Sequence, residues 1–171
     1  MGLLTVWPVR IDVQARPHPE RPGETQIGFA LGGGADALSA NGIIINVAVG
    51  VDIHTAVSLR AQGQNVPDSI SCQALIDTGA SCLCIDGTIA QKLGLARRGE
   101  TTNLTAAGPV RTNLYAVSLL FPGSNLRTYE LLRASEADLS PQPFKCLIGR
   151  DVMRNWHVHY NGQSGAVSIA D

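Results

Sequence analysis

The stretch Ala74-Leu75-Ile76-Asp77-Thr78-Gly79-Ala80-Ser81 constrains this chain more than any other. Ile70, Cys72 and Ala74 alternate with more polar residues, which predicts a strand that delivers Asp77 at its end. A hydroxyl, a glycine and a small residue follow at once, the composition of a tight turn. A carboxylate is thus set at the mouth of a strand, beside backbone that only small residues flank.

The rest of the 171 residues must supply what such an acid needs. That length suits one compact domain. Apolar residues make up 44% and charged residues 16%, which fits a packed core. A net charge of −1, scattered Lys and Arg and 5% aromatics give no footprint for nucleic acid. No apolar run approaches the ~20 residues that span a bilayer. The apolar patch near Met1 lacks a preceding basic residue and is interrupted by Pro8, so it does not read as a signal peptide. Val6 stands where a myristoylation signal needs Ser or Thr. The expected location is cytoplasmic. Cys72, Cys82, Cys84 and Cys146 lack zinc spacing, and no metal or other cofactor is expected; they read as small buried apolar groups.

Along the chain, period-two alternation predicts strands over 9–14 and at Ile27, Phe29 and Leu31, with a Pro-rich loop between them. Gly32-Gly33-Gly34 opens a flexible connection to Asn41-Gly42, with neither a phosphate-loop signature nor a helix start. Residues 43–59 read as one long strand or two collinear ones, with a bulge at Gly50. A turn-rich loop over 61–68 leads back into the strand that ends at Asp77. Leu83, Cys84 and Ile85 form a short buried strand. Asp86-Gly87-Thr88 then caps a helix that holds Ile89 and Leu93 and closes at Gly94. Residues 101–105 and 110–121 form a hairpin, 128–132 a strand and 133–143 a polar loop. A strand ending at Gly149 precedes a short helix, and Asn161-Gly162 turns the closing hairpin. Many short strands with two brief helices indicate a mainly all-β, barrel-like domain.

Two signatures about 70 residues apart carry a resemblance. Ile76-Asp77-Thr78-Gly79-Ala80 resembles the active-site loop of the retropepsin-like aspartic proteases, and Leu147-Ile148-Gly149-Arg150-Asp151 resembles their second signature. The segment Ile89-Ala90-Gln91-Lys92-Leu93-Gly94-Leu95 is similar to the helix that follows the catalytic loop in relatives. The likeness covers roughly 43–170. It implies a closed-barrel domain over 43–171 and an N-terminal extension over 1–42, packed on it.

The resemblance implies an aspartic endopeptidase, which needs two carboxylates: one activates water while the other protonates the carbonyl oxygen. Asp77 lies in the one Asp-Thr-Gly of the chain. Asp86 has a sufficient role as a helix cap, and Asp151 a structural one. The second carboxylate is therefore expected from a C2 homodimer. Thr78 is expected to hydrogen-bond across the two-fold axis, Gly79 to contact an extended peptide substrate, and Ile148 and Gly149 to support the loop of Asp77 and Ala80. Ala106, Ala107, Gly108 and Pro109 are the expected flap tip. Ser81 stands where retroviral enzymes carry an acid that pairs with the arginine, so Arg150 needs another partner, Asp86 or a carboxylate of the second protomer. A catalytically silent dimerisation or peptide-binding module is the alternative. A cysteine hydrolase pairing Cys82 or Cys84 with His157 or His159 is the weakest reading.

Overall fold

The computed structural model describes the backbone of residues 4–6, 9–17 and 25–31, and both backbone and side chains of 34–105 and 108–171. Its strands and helices follow in the order β1 (Leu4–Val6), β2 (Val9–Pro17), β3 (Thr25–Leu31), α1 (Gly34–Asn41), β4 (Ile43–Val51), α2 (Ile53–Ala61), β5 (Ile70–Ile76) and β6 (Leu83–Asp86). Then come α3 (Gly87–Lys92), β7 (Gly99–Thr105), β8 (Gly108–Leu120), β9 (Tyr129–Ala137), β10 (Cys146–Ile148), α4 (Arg150–Met153), β11 (His157–Asn161) and β12 (Ala166–Ala170). The fold is mostly β. Among the described residues no helix is long and apolar enough to cross a membrane.

One sheet runs β1-β2-β3-β12-β11, so the strands of the first 31 residues pair with the closing hairpin. The other runs β4-β5-β10-β6-β9-β8-β7, and β4 also pairs with β8. That second pairing returns the ladder to its starting strand and leaves β7 outside the ring. Val47, Val49, Ala74, Leu83, Ile85, Val117, Leu119, Ala134, Cys146 and Ile148 fill its inside, each fully or almost fully buried. Val167 and Ile169 of β12 join the same core. Burying one such branched side chain stabilises by about 1.5–3 kcal/mol, so the ring and the closing hairpin share one hydrophobic core.

Four expectations need correction. A helix, α1, occupies the stretch after the glycine cluster. The strand from Ile43 ends at Val51, because Asp52 accepts from the N–H groups of His54 and Thr55 and starts α2. Gly50 makes no bulge; it pairs in register with Ser118, and a β-carbon there would lie 2.7 Å from Ser69 Oγ and 2.8 Å from Ser118 Oγ. Finally, β9 runs on to Ala137, so only the second part of 133–143 is loop. Four short helices stand among the described residues where two were expected.

Candidate active site

The loop after β5 is built mainly by backbone. β5 and β10 run parallel, with Ile76 beside Ile148, and the ladder gains one more bond, from Asp77 N–H to Ile148 O at 3.0 Å. The chain then turns. Ala80 N–H reaches Asp77 O at 3.2 Å, and Gly79 N–H donates to Asp77 Oδ1 at 2.7 Å. Asp77 is half-buried, whereas Thr78 and Gly79 are exposed. The other carboxylate oxygen, Oδ2, makes no hydrogen bond among the described residues.

The second signature clamps this loop from the far side. Arg150 N–H donates to Ala80 O at 3.0 Å, and its guanidinium Nη1 donates to Thr78 O at 2.6 Å. One residue on, Asp151 Oδ2 accepts from Leu83 N–H at 3.0 Å. The start of α4 thereby grips 78–83 at three points. Gly149 lies against Cys82 so closely that a β-carbon would sit 2.5 Å from Cys82 O. Within the chain, the guanidinium of Arg150 is thus held by a backbone carbonyl. Asp86, expected as one candidate, instead caps α3: it accepts from Thr88 N–H at 3.0 Å, from the Thr88 hydroxyl and from Leu139 N–H at 3.0 Å. Burial pushes its carboxyl up, but these hydrogen bonds and nearby Lys145 outweigh that and hold it below the ordinary carboxylate range.

β7 and β8 pair from Gly99 with Leu114 to Thr105 with Gly108. Ala106 and Ala107, expected at the hairpin tip, lie outside the described residues; Gly108 is half-exposed and Pro109 exposed. Leu104, beside the tip, is 86% exposed. Beneath the hairpin lies a cavity of about 680 Å³, walled by Asn103, Thr112, Glu136, Leu139 and Leu147 among others. Of β10, the strand that supports the Asp77 loop, Leu147 lines this cavity. Its far wall is organised by Lys145, whose ammonium donates to the carbonyls of Leu139, Ser140 and Gln142 at 2.6, 3.2 and 3.2 Å.

Several contributors escaped the sequence reading. Asn103 Nδ2 donates to Ser135 Oγ at 3.1 Å, tying the hairpin to β9. Ser135 is fully buried and lies 3.1 Å from Cys84 Sγ and 3.6 Å from Cys82 Sγ. Nothing in the residue pattern marks Asn103, Ser135 or Lys145, because their partners are distant in sequence or are backbone carbonyls. His157 and His159 sit exposed on β11, in the sheet that does not contain Cys82 and Cys84.

Residues 57–152, from α2 through the start of α4, match the sequence profile of the aspartyl protease family. That span holds both the Asp77 loop and the Leu147-Ile148-Gly149 strand that supports it. The chain belongs to the aspartyl protease family. No sequence among curated proteins matches it. Among solved structures, a retropepsin-like aspartic protease from Rickettsia conorii is similar over 97% of this chain and 96% of that one, at 11% identity and a TM-score of 0.45.

Proposed function

We propose that this chain is a retropepsin-like aspartic endopeptidase, active as a homodimer in which two Asp77 side chains form the catalytic pair. The observation that carries the reading is the geometry of Asp77. One carboxylate oxygen is fixed by Gly79 N–H, the other is without a partner among the described residues, and the loop around it is braced by Ile148 and Arg150. Two carboxyls about 3 Å apart cannot both ionise and share one proton, the arrangement for which aspartic proteases are the standard example. The ionised partner takes a proton from water, the protonated one gives its proton to the carbonyl oxygen, and the tetrahedral adduct collapses as the amide nitrogen is protonated.

The remaining assignments follow from that reading. The self-returning ladder serves as a closed barrel, with residues 1–42 an extension of the 43–171 domain. Thr78 bonds to its counterpart across the two-fold axis, and Gly79 contacts the substrate backbone. Ile148, Gly149 and Arg150 hold the loop, Ala80 included, without touching substrate. The hairpin tip at Ala106, Ala107, Gly108 and Pro109 closes as a flap over an extended peptide, which pairs as an added strand.

A mixed peptide library, incubated at pH values from about 3 to 7, tests the reading because a shared-proton pair works only where one carboxyl stays protonated. Cleavage by wild type that is abolished in Asp77→Asn and inhibited by a statine-type transition-state mimic is the expected result. Cleavage that survives the substitution sinks the mechanism. A verified dimer that cleaves at no pH favours a silent binding module.

A further inference from the structure

The cavity beneath the β7–β8 hairpin does not end at Glu136. A second cavity, of about 560 Å³, adjoins it on the side of α3. The two share Asn113, Glu136, Ala137 and Asp138 as a common wall, and each has the size of an ordinary ligand site. We propose that Glu136 is a specificity-determining residue, and that these joined cavities take a lysine or arginine side chain of the peptide substrate.

Glu136 is half-buried and built to receive a positive charge. Its Oε2 accepts from the Tyr115 hydroxyl at 2.7 Å and from Asn113 Nδ2 at 2.8 Å, which holds the carboxylate in one orientation. Tyr115 is 9% exposed, so the brace itself has little freedom. The other oxygen, Oε1, makes no hydrogen bond among the described residues. It lies against Gly87, where a β-carbon would stand 3.1 Å from it, so the absence of a side chain there leaves the oxygen uncovered. A carboxylate with one oxygen fixed and one unengaged gains most from a partner that brings both charge and N–H donors.

The cations of the chain nearest to hand are engaged elsewhere. Arg97 and Arg111 also wall the larger cavity, but both pair with Glu100, at 3.5 and 2.6 Å. The Lys145 ammonium is held by the three carbonyls already described. Among the described residues that wall the smaller cavity there is no Lys or Arg, whereas exposed Asp138 adds a second negative charge. A lysine or arginine fits both parts of such a wall. Val110, 45% exposed, and Leu147 give apolar surface for the methylene stem, and Glu136 meets the charged head. Leu147 pairs with Leu75 of β5, so the larger cavity is walled in part by the strand pair that carries Asp77.

The substrate named here rests on the peptidase reading, so one arm of the test needs no cleavage. In the first arm a peptide library is digested, and the best substrate is remade with Lys, Met or Glu at each position in turn. At one position kcat/KM should be at least about tenfold higher with Lys than with Met, and lowest with Glu. Glu136→Gln keeps an oxygen that accepts from Tyr115 and Asn113, and in this variant the Lys-to-Met ratio should collapse towards one. A ratio taken within one preparation does not depend on how much of the variant folds. A ratio unchanged by the substitution, or no position at which Lys exceeds Met, overturns the proposal. In the second arm, full-length Asp77→Asn protein labelled with nitrogen-15 is titrated with millimolar Nα-acetyl-lysinamide and with its neutral norleucine analogue. The Asn113 side-chain and Gly87 backbone amide signals should shift with the lysine probe and not with the norleucine one. Equal shifts from both probes, or none from either, overturn the proposal. If no peptide is cleaved, the proposed function fails by itself, and the second arm still decides whether the cavities take a cationic side chain.

Discussion

A β-carbon at Gly149 would stand 2.5, 2.6 and 2.7 Å from the O, C and N atoms of Cys82. These are backbone atoms that Leu83 N–H and the Asp151 carboxylate hold in place. Overpacking of a fixed site costs about 1–3 kcal/mol, so Gly149→Ala should lower unfolding stability in urea by that amount. Peptidase activity should fall further still, because relief must come from moving the loop of Asp77. Asp86 makes a different prediction. Its folded pKa lies below the unfolded one, so the unfolded chain binds more protons and the contribution is full only above the unfolded value, near 3.9. It is lost as pH falls through the lower folded value. Asp86→Asn should therefore cost about 1–2 kcal/mol at neutral pH, and the gap to wild type should narrow on acidification, as followed by urea melts from about pH 6 to 2. The cap was legible in the sequence, since Asp-Gly-Thr before an apolar pair is a local signal. The bond of Arg150 to Thr78 O was not, because a backbone carbonyl has no residue type to read.

Among the elements, those with one unambiguous alternation or cap of their own matched their expectation, and those whose pattern allowed two readings did not. β5, β6, α3 and the closing hairpin each carry their own alternation or cap. The stretch beyond Val51 misled because Ile53, Thr55 and Val57 continue a strand-like alternation. Asp52 nevertheless draws the chain into α2, a helix with Ala56 as its buried residue. The end of 133–143 was read correctly as loop, but its order comes from Lys145, whose ammonium gathers three carbonyls that the sequence gives no reason to connect. That cage fixes Leu139 and with it one wall of the cavity. Lys145→Met keeps the stem and removes the donors, so stability should fall by about 1–2 kcal/mol. If the wall shapes a substrate site, KM should rise roughly threefold or more while kcat changes little, the pattern of lost uniform binding. Steady-state kinetics on a cleaved library peptide separate the two; a fall in kcat alone would place the loop's role in the chemical step.

At the scale of the whole molecule, the pairing of β4 with both β5 and β8 makes the ring and leaves β7 as an edge carrying an 86% exposed Leu104. The strand pattern gave a mainly β domain, but the pairing of β4 with β8 was not legible, since no local pattern specifies which strand pairs with which. The proposed dimer rests on chemistry: one Asp-Thr-Gly supplies one carboxylate, and the proposed pair needs two. That requirement separates shared sites from independent ones without a structure of the complex. Wild type and Asp77→Asn are mixed in equal amounts and allowed to exchange subunits, with total protein held constant. If each catalytic pair spans two protomers, random pairing leaves only about one quarter of dimers with two Asp77 carboxylates, and activity should fall to about that fraction of pure wild type. If each protomer works alone, half should remain. A mixed dimer could retain activity only by finding its second acid elsewhere in the chain, so a half-activity result would return attention to Asp86 and Asp151. Both are held by N–H groups of the surrounding backbone, Asp86 by Thr88 and Leu139 and Asp151 by Leu83, so neither could join Asp77 without breaking the bonds that fix β6 and α3.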